Sequence, residues 1–238
     1  MEMDDSKGMV CVTGGTGYLA SWLIMKLLQH GYSVNATIRS TQDVSYLTNL
    51  PEASQRLRIF NADMDKPESF SAAIEGCVGV FHVAHPMNYG DQEIEEEKIR
   101  KAVDGTLGIL WECLNSKTVK RVVYTSSRTA VVFNDKGLDT VDESSWSDIY
   151  IMKTLKPISA ASYVISKTLT EKAALEFAEK HGLDLVTTWS LLESSVPRAI
   201  TTSHGNDLRS LREIGGIKHP RLSSKKLEFV LYGRETLV

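Results

Sequence analysis

The chain has 238 residues, 42% hydrophobic and 24% charged, enough for one sizeable core or for one domain with a small appendage. Its formal net charge of −3 argues against a nucleic-acid surface, where a concentrated basic patch would be expected. The acidic start Met1-Glu2-Met3-Asp4-Asp5 carries no apolar signal core. The most apolar helical stretch, Ser21 to His30, is too short to span a membrane and contains Lys26. Cys11, Cys77 and Cys113 are odd in number and widely spaced, fitting neither a disulfide framework nor a zinc site; they suit a reducing, cytoplasmic setting.

Val10 and Val12 mark a short buried strand, followed by the glycine-rich turn Thr13-Gly14-Gly15-Thr16-Gly17. Leu19, Leu23 and Leu27, with Trp22, then recur at helical spacing, so the turn opens a helix. Strand, turn and helix in that order are the context in which a glycine fingerprint binds a dinucleotide. Gly14 permits the tight turn, and Gly17 lets the backbone approach a pyrophosphate held at the positive end of the helix. The small Ala20 allows close helix–strand packing. A plain βα turn that happens to be rich in glycine is the alternative. Gly31 stops the helix, and Tyr32 to Ile38 alternates as a second strand. Arg39 follows the end of that strand. An acid there grips a ribose 2′-hydroxyl, whereas an arginine suits a 2′-phosphate, which favours NADPH over NADH. A surface arginine without a role is the alternative.

Leu57 to Asp63 reads as a third strand ending in an acid, and Ser69 to Glu75 as a short helix closed by Gly76. Val78 to Ala84 is a nearly continuous apolar fourth strand, as in a parallel sheet covered on both faces, and Pro86 ends it. The acidic run Glu93-Ile94-Glu95-Glu96-Glu97 reads as the solvated start of a long helix reaching about Asn115, favourable to its macrodipole and not a metal site. Val119 to Thr125 is a fifth strand. Strands alternating with helices in this way argue for an α/β, doubly wound parallel sheet, and no repeat or linker divides residues 1–188.

The fifth strand runs into Tyr124-Thr125-Ser126-Ser127, placing hydroxyls at a carboxyl end, where ligands sit in open α/β sheets. Tyr163-Val164-Ile165-Ser166-Lys167 lies in a strong helical segment. Ile165, Leu169, Ala173 and Phe177 form an apolar ladder, and Tyr163 and Lys167 share a different, open face. An ammonium beside a tyrosine stabilises phenolate, lowers the tyrosine's pKa and eases proton transfer to or from a substrate oxygen. Lys167 has donors to spare for a ribose. An amphipathic helix with an incidental tyrosine and lysine is the alternative. The glycine fingerprint and the serine-bearing strand ahead of the pair weigh against it.

The ordered segments TGGTGYLASW, TIRS, NADMD, GVFHVAHP, VKRVVYTSS, WSD and YVISKTLTEKA resemble the plant dihydroflavonol 4-reductase and vestitone reductase group, over residues 9 to about 188. That group lies within the extended short-chain dehydrogenases/reductases, the NAD-dependent epimerase/dehydratase family. Tyr18 stands where the compact members' TGxxxGxG pattern needs glycine, so the extended form fits better. The resemblance implies a Rossmann domain over residues 8–188, NADPH as cofactor, and reduction of a ketone on a flavonoid-like substrate. It implies that Ser127 hydrogen-bonds the substrate carbonyl, that Tyr163 donates the proton, and that Lys167 supports Tyr163 and binds the nicotinamide ribose. Gly14, Gly17, Tyr18 and Leu19 would line the pyrophosphate, Arg39 the 2′-phosphate, and Asp63 and Met64 the adenine. Val83 and Ala84 would pass beneath the cofactor, with Thr125, Tyr163 and Lys167 also against it. Whether Ser126 or Ser127 is nearer the substrate is left open at this point.

Four departures from the group stand out. Arg128 follows the serines in place of a small residue, and either crowds the substrate mouth or places a cation there. His85 replaces a small hydroxyl residue. Val132 replaces the substrate-binding asparagine of dihydroflavonol reductases, which points towards vestitone reductase. After Leu185-Val186-Thr187-Thr188 the proline-bearing loop and substrate-binding stretch of the group are missing, and Leu191 to Pro197 resembles a much later segment. This is the pattern of an internal deletion, leaving residues 189–238 as a loosely packed remnant of the substrate region. Two functions follow: an NADPH-dependent ketone reductase, or a non-catalytic nucleotide-binding chain that associates with full-length relatives. In either case, surface uncovered by the deletion is expected to favour self-association.

Overall fold

The computed structural model describes residues 7–39, 43–86, 92–134, 145–154 and 156–189. Six strands form one sheet: β1 (Met9–Val12), β2 (Ser33–Ile38), β3 (Leu57–Asn61), β4 (Gly79–His82), β5 (Arg121–Ser126) and β6 (Leu185–Trp189). The helices are α1 (Tyr18–Gln29), α2 (Ser45–Thr48), α3 (Ala53–Arg56), α4 (Ser71–Ile74), α5 (Glu96–Ser116), α6 (Thr129–Val132), α7 (Ile149–Met152) and α8 (Ile158–His181). The strand order is β3-β2-β1-β4-β5-β6 and every neighbouring pair is parallel, so the expected doubly wound sheet is present. Order reverses between β1 and β4, which opens a crevice beyond the carboxyl ends of those two strands. β6, which periodicity did not mark as a strand, closes the sheet against β5.

Both faces of the sheet are covered, and the period of two sorts the strand residues between them. Val10 and Val12 of β1, with Phe81 of β4 and Val123 of β5, pack on Ala20, Ile24, Leu27 and Leu28 of α1. Cys11, Val80 and Val122 point the other way, onto Ile109, Leu110 and Cys113 of α5 and Ala174, Phe177 and Ala178 of α8. Cys11, Cys77 and Cys113, far apart in sequence, therefore share this second layer as buried free thiols. Burial raises all three thiol pKa values, those of Cys77 and Cys113 to about 12. Among the described residues no group of side chains is arranged to hold a metal ion, and no helix is long and apolar enough to cross a membrane.

Some boundaries differ from expectation for local reasons. The segment expected as a helix over Ser69 to Glu75 is a 3₁₀ turn, Pro67–Phe70, running into the short α4. The fourth strand ends at His82 because the next two amides, of Val83 and Ala84, bond the Thr13 side chain and not a neighbouring strand. The acidic run does begin a helix on the surface. α5 starts at Glu96, and Glu95 and Glu97 pair with Lys98 at 2.8 Å and with Lys101 at 3.1 Å. The expected remnant, apart from the strand residue Trp189, lies outside the described residues.

α5 lies very close to the loop that follows β3. A Cβ at Gly105 would stand 2.8 Å from the Met64 carbonyl oxygen, and one at Gly108 would stand 2.4 Å from both Cβ and Cγ of Pro67. The proline ring cannot swing aside. Alanine favours a helix over glycine by roughly 1 kcal/mol, yet overpacking here costs about 1–3 kcal/mol. Gly108→Ala is therefore expected to lower the urea midpoint, and a midpoint at or above that of the unmodified chain would refute the tight α5 contact.

Candidate active site

The crevice between β1 and β4 is built from backbone. Gly14 has φ +71°, and a Cβ there would stand 3.1 Å from Cα of Ala84, so only glycine keeps the turn on the end of β4. Gly15 N–H donates to the Thr37 carbonyl at 2.7 Å, and Gly17 N–H to the Gly14 carbonyl at 2.8 Å, closing the loop. Gly17 is the exposed N-cap of α1, with extended backbone and no capping side chain; the first turn of α1, which begins with Tyr18 and Leu19, holds no acid. Such a helix start favours an anion. Arg39 is exposed one residue past β2, beside the Thr37 that holds Gly15. Asp63 and Met64 follow β3; the Asp63 carboxylate accepts the Asp65 N–H at 3.1 Å, and Met64 packs against Gly105. Val83 and Ala84 form the floor, both amides held at 3.0 Å by Thr13 Oγ1. The structure thus gathers Gly14, Gly17, Tyr18, Leu19, Val83 and Ala84 at one crevice, with Arg39, Asp63 and Met64 at the ends of the neighbouring strands.

A second cluster stands at the carboxyl end of β5. The two serines left open by the sequence part company here. Ser126 Oγ donates to Glu171 Oε2 at 2.5 Å in the interior. Ser127 lies close enough to Tyr163 to act on its pKa, and accepts from the Thr129 N–H at 3.2 Å and the Thr129 hydroxyl at 2.8 Å. Ser127 is therefore the hydroxyl next to the tyrosine. Lys167 Nζ donates to the Thr125 carbonyl at 2.8 Å and lies 5.2 Å from the centre of the Tyr124 ring.

Two expectations about α8 need correction. Lys167 is not on an open face: it is 3% exposed, and Ser162, Ser166, Thr168, Thr170 and Glu171 are buried on the same helix. α8 is packed against both α5 and the sheet, so its inner side is broad and partly polar. Leu169 and Ala173 of the apolar ladder are only half-buried. Nor does the phenol of Tyr163 become more acidic. Burial raises its pKa, with the Ser127 hydrogen bond acting in the opposite direction. Burial also lowers the Lys167 amine to about 7, opposed by the Glu171 carboxylate one helical turn away.

His85 packs edge-on to Tyr163, with ring centres 5.8 Å apart, and its Nε2 meets Ser166 Oγ at 3.3 Å. Burial is the main cause holding its pKa well below that of an ordinary histidine. Arg128 and Val132 are half-buried at the two ends of α6, immediately after the serines. Sequence reasoning missed Thr13, Thr129 and Glu171 as members of these clusters. Glu171 had a signal, since it stands four residues after Lys167 and so on the same side of the helix. Thr129 stood two residues from Ser127. In chemical terms, one end of the sheet offers a cradle for an anionic nucleotide. The adjoining end offers a hydroxyl, a protonated phenol and an amine able to change charge near neutrality.

Comparison with known proteins agrees with this fold. Residues 10–189 match the NAD dependent epimerase/dehydratase family. The chain is 57% identical over 189 residues to vestitone reductase of Medicago sativa, an alignment covering 78% of this chain and 58% of that protein. It is 45% identical over 187 residues to dihydroflavonol 4-reductase of Hordeum vulgare, covering 77% and 52% respectively. The crystal structure of alfalfa vestitone reductase superposes with a TM-score of 0.68, over 76% of this chain and 56% of that one. Gre2 of Candida albicans, crystallised in complex with NADPH, gives 0.66 at 28% identity, over 75% and 56%. The chain thus spans little more than half the length of these relatives. With a parallel six-stranded sheet in Rossmann order and a family match across nearly all the described residues, the chain belongs to the NAD dependent epimerase/dehydratase family.

Proposed function

We propose that this chain binds NADPH and reduces a ketone on a flavonoid-type substrate, with Ser127, Tyr163 and Lys167 as the residues of proton transfer. The observation that carries this reading is the Ser127 hydroxyl acting on Tyr163 at the carboxyl end of β5, beside the nucleotide crevice, with the Lys167 amine buried on the same helix as Tyr163. The Gly14–Gly17 turn, packed against Ala84 with Gly17 exposed at the start of α1, fits a pyrophosphate, and the exposed Arg39 fits a 2′-phosphate. The likeness to vestitone reductase and to NADPH-bound Gre2 supports the same assignment.

When bound, NADPH supplies the hydride. Ser127 orients the carbonyl oxygen and Tyr163 gives it a proton. A phenol whose pKa is raised by burial keeps that proton at neutral pH, which is the state a donor in the reductive direction needs. The charged form of Lys167 stabilises the phenolate left behind. Asp63 and Met64 would hold the adenine, and Thr125, whose carbonyl accepts from Lys167, would hold the nicotinamide side.

Three measurements test the reading. NADPH should raise the melting temperature by mass action, NADH should raise it little, and Arg39→Ala should remove the difference. Equal shifts from both cofactors would sink the role of Arg39. Tyr163→Phe should lower turnover about 10²–10⁴-fold, as expected for loss of a general acid, with NADPH affinity within threefold. Turnover equal to that of the unmodified chain would remove Tyr163 from the mechanism. Binding without turnover in the unmodified chain would instead favour a nucleotide-binding chain that does no chemistry.

The third measurement concerns the amine. Its folded pKa, about 7, lies below the ordinary lysine value of 10.5, so the unfolded chain binds the proton more tightly. The resulting loss of stability is absent above the ordinary value, grows as pH falls, and levels off below about 7. The difference in melting temperature between Lys167→Met and the unmodified chain should therefore shift in the variant's favour as pH falls from 10 to 7. A gap that does not change with pH would contradict the buried, depressed lysine.

A further inference from the structure

The floor of the nucleotide crevice is tied to the opposite layer of the protein through one histidine. His82, the last residue of β4, is fully buried; its Nδ1 lies 2.9 Å from Thr13 Oγ1 and its Nε2 lies 3.1 Å from Thr106 Oγ1 on α5. Thr13 Oγ1 also accepts the N–H groups of Val83 and Ala84, each at 3.0 Å. These contacts fix the protons by counting. A hydroxyl oxygen has two lone pairs and one hydrogen. The two amides take both lone pairs of Thr13, so its hydrogen must go to an acceptor, and His82 Nδ1 supplies one. If Nδ1 carried a proton instead, three donors would converge on the Thr13 oxygen, and its own hydrogen would be left buried beside a second donor. His82 is therefore the neutral Nε2–H tautomer, donating to Thr106. Burial lowering its pKa to about 3 agrees with a ring that never charges at working pH.

We infer that His82 is a positioning residue for the nucleotide site: by accepting the Thr13 proton it locks Val83 and Ala84, and with them the Gly14 turn that leans on Ala84. The link to Gly14 is steric, since the space for a side chain there is taken up by Ala84 at 3.1 Å. A Thr13 hydroxyl free to rotate would turn its hydrogen towards one of the two amides and release it. The floor would then sag away from the turn. This inference rests on the reading of the crevice as an NADPH site.

The two sides of the ring can be separated. In His82→Asn the amide oxygen takes the place of Nδ1 and still accepts from Thr13, while the reach to Thr106 is lost. In His82→Gln the amide nitrogen reaches the place of Nε2 and still donates to Thr106, while the acceptor beside Thr13 is lost. Titrating the full chain with NADPH by fluorescence, below the melting temperature of each variant, should show about tenfold or greater loss of affinity for His82→Gln and Thr13→Val. His82→Asn and Thr106→Val should stay within threefold, even if they melt as early. Equal losses for the asparagine and glutamine variants, or losses that simply track melting temperature, would overturn the inference. A second measurement needs neither a variant nor a cofactor. Long-range ¹H–¹⁵N correlation on the unmodified chain should find His82 as the Nε2–H tautomer, unchanged from pH 5 to 8; an Nδ1–H or doubly protonated ring would overturn it. If the unmodified chain binds no NADPH at all, the proposed function fails, while the tautomer measurement still judges the network.

Discussion

A primary amine held 3% exposed at the carboxyl edge of the sheet sets terms that the surrounding residues must meet. An ammonium taken out of water costs several kcal/mol unless its surroundings answer its charge and its donors. Here the answer is spread over three consecutive residues of β5. Tyr124 offers a ring face, Thr125 a main-chain carbonyl, and Ser126 a hydroxyl that secures the counter-charge Glu171. The following residue, Ser127, turns to Tyr163. One strand end therefore serves the lysine, its carboxylate and the phenol in succession. This also explains why α8 buries a glutamate where an ordinary amphipathic helix buries leucine.

The other half of the site achieves its geometry by leaving side chains out. Gly14 lets the turn rest on Ala84, and Gly105 and Gly108 let α5 close on the loop that carries Met64 and Pro67. Backbone approaching backbone gives positions that depend little on rotamers, which suits a cradle for a pyrophosphate. It also makes the same positions intolerant, because the energy of a contact rises steeply once atoms overlap. The floor and the α5 layer are joined by Thr13, His82 and Thr106, residues that belong to three different elements.

Legibility from sequence followed this division. The β1–turn–α1 unit, the strand at Arg39 and the acidic start of α5 were readable because their signals are local: glycine spacing, alternation, and charge at a helix end. The Tyr163–Lys167 spacing was readable too, but not its surroundings. Four-residue spacing says that two side chains share a face, and burial on that face is decided by what α8 packs against. The opposite fates of Ser126 and Ser127 follow from Glu171, 45 residues away from Ser126. The Thr13–His82 contact spans 69 residues and the gathering of three cysteines spans more. Pairings at such range leave no periodic trace in a single chain. The early end of β4 belongs to the same class, since a threonine side chain far upstream takes the two amides that would otherwise extend the strand ladder.

The pKa directions of Tyr163 and Lys167 carry a consequence for the order of charges in the proposed reaction. Burial raises the phenol and lowers the amine, so each is driven towards its neutral form. The pair at rest is then a phenol that keeps its proton and an amine poised near 7, with Glu171 tilting the amine towards charge. Donation from Tyr163 leaves a phenolate that burial disfavours and Ser127 favours, and in the proposed reaction a protonated Lys167 would add to what Ser127 offsets. Reduction therefore draws on two protons held at once by neighbouring groups whose environments pull in opposite directions. Raising the pH removes the one on Lys167 first, because about 7 lies below any value to which a raised phenol corresponds. On this argument the alkaline limit of the reaction belongs to the lysine and not to the tyrosine, and the carboxylate of Glu171 sets how far that limit reaches.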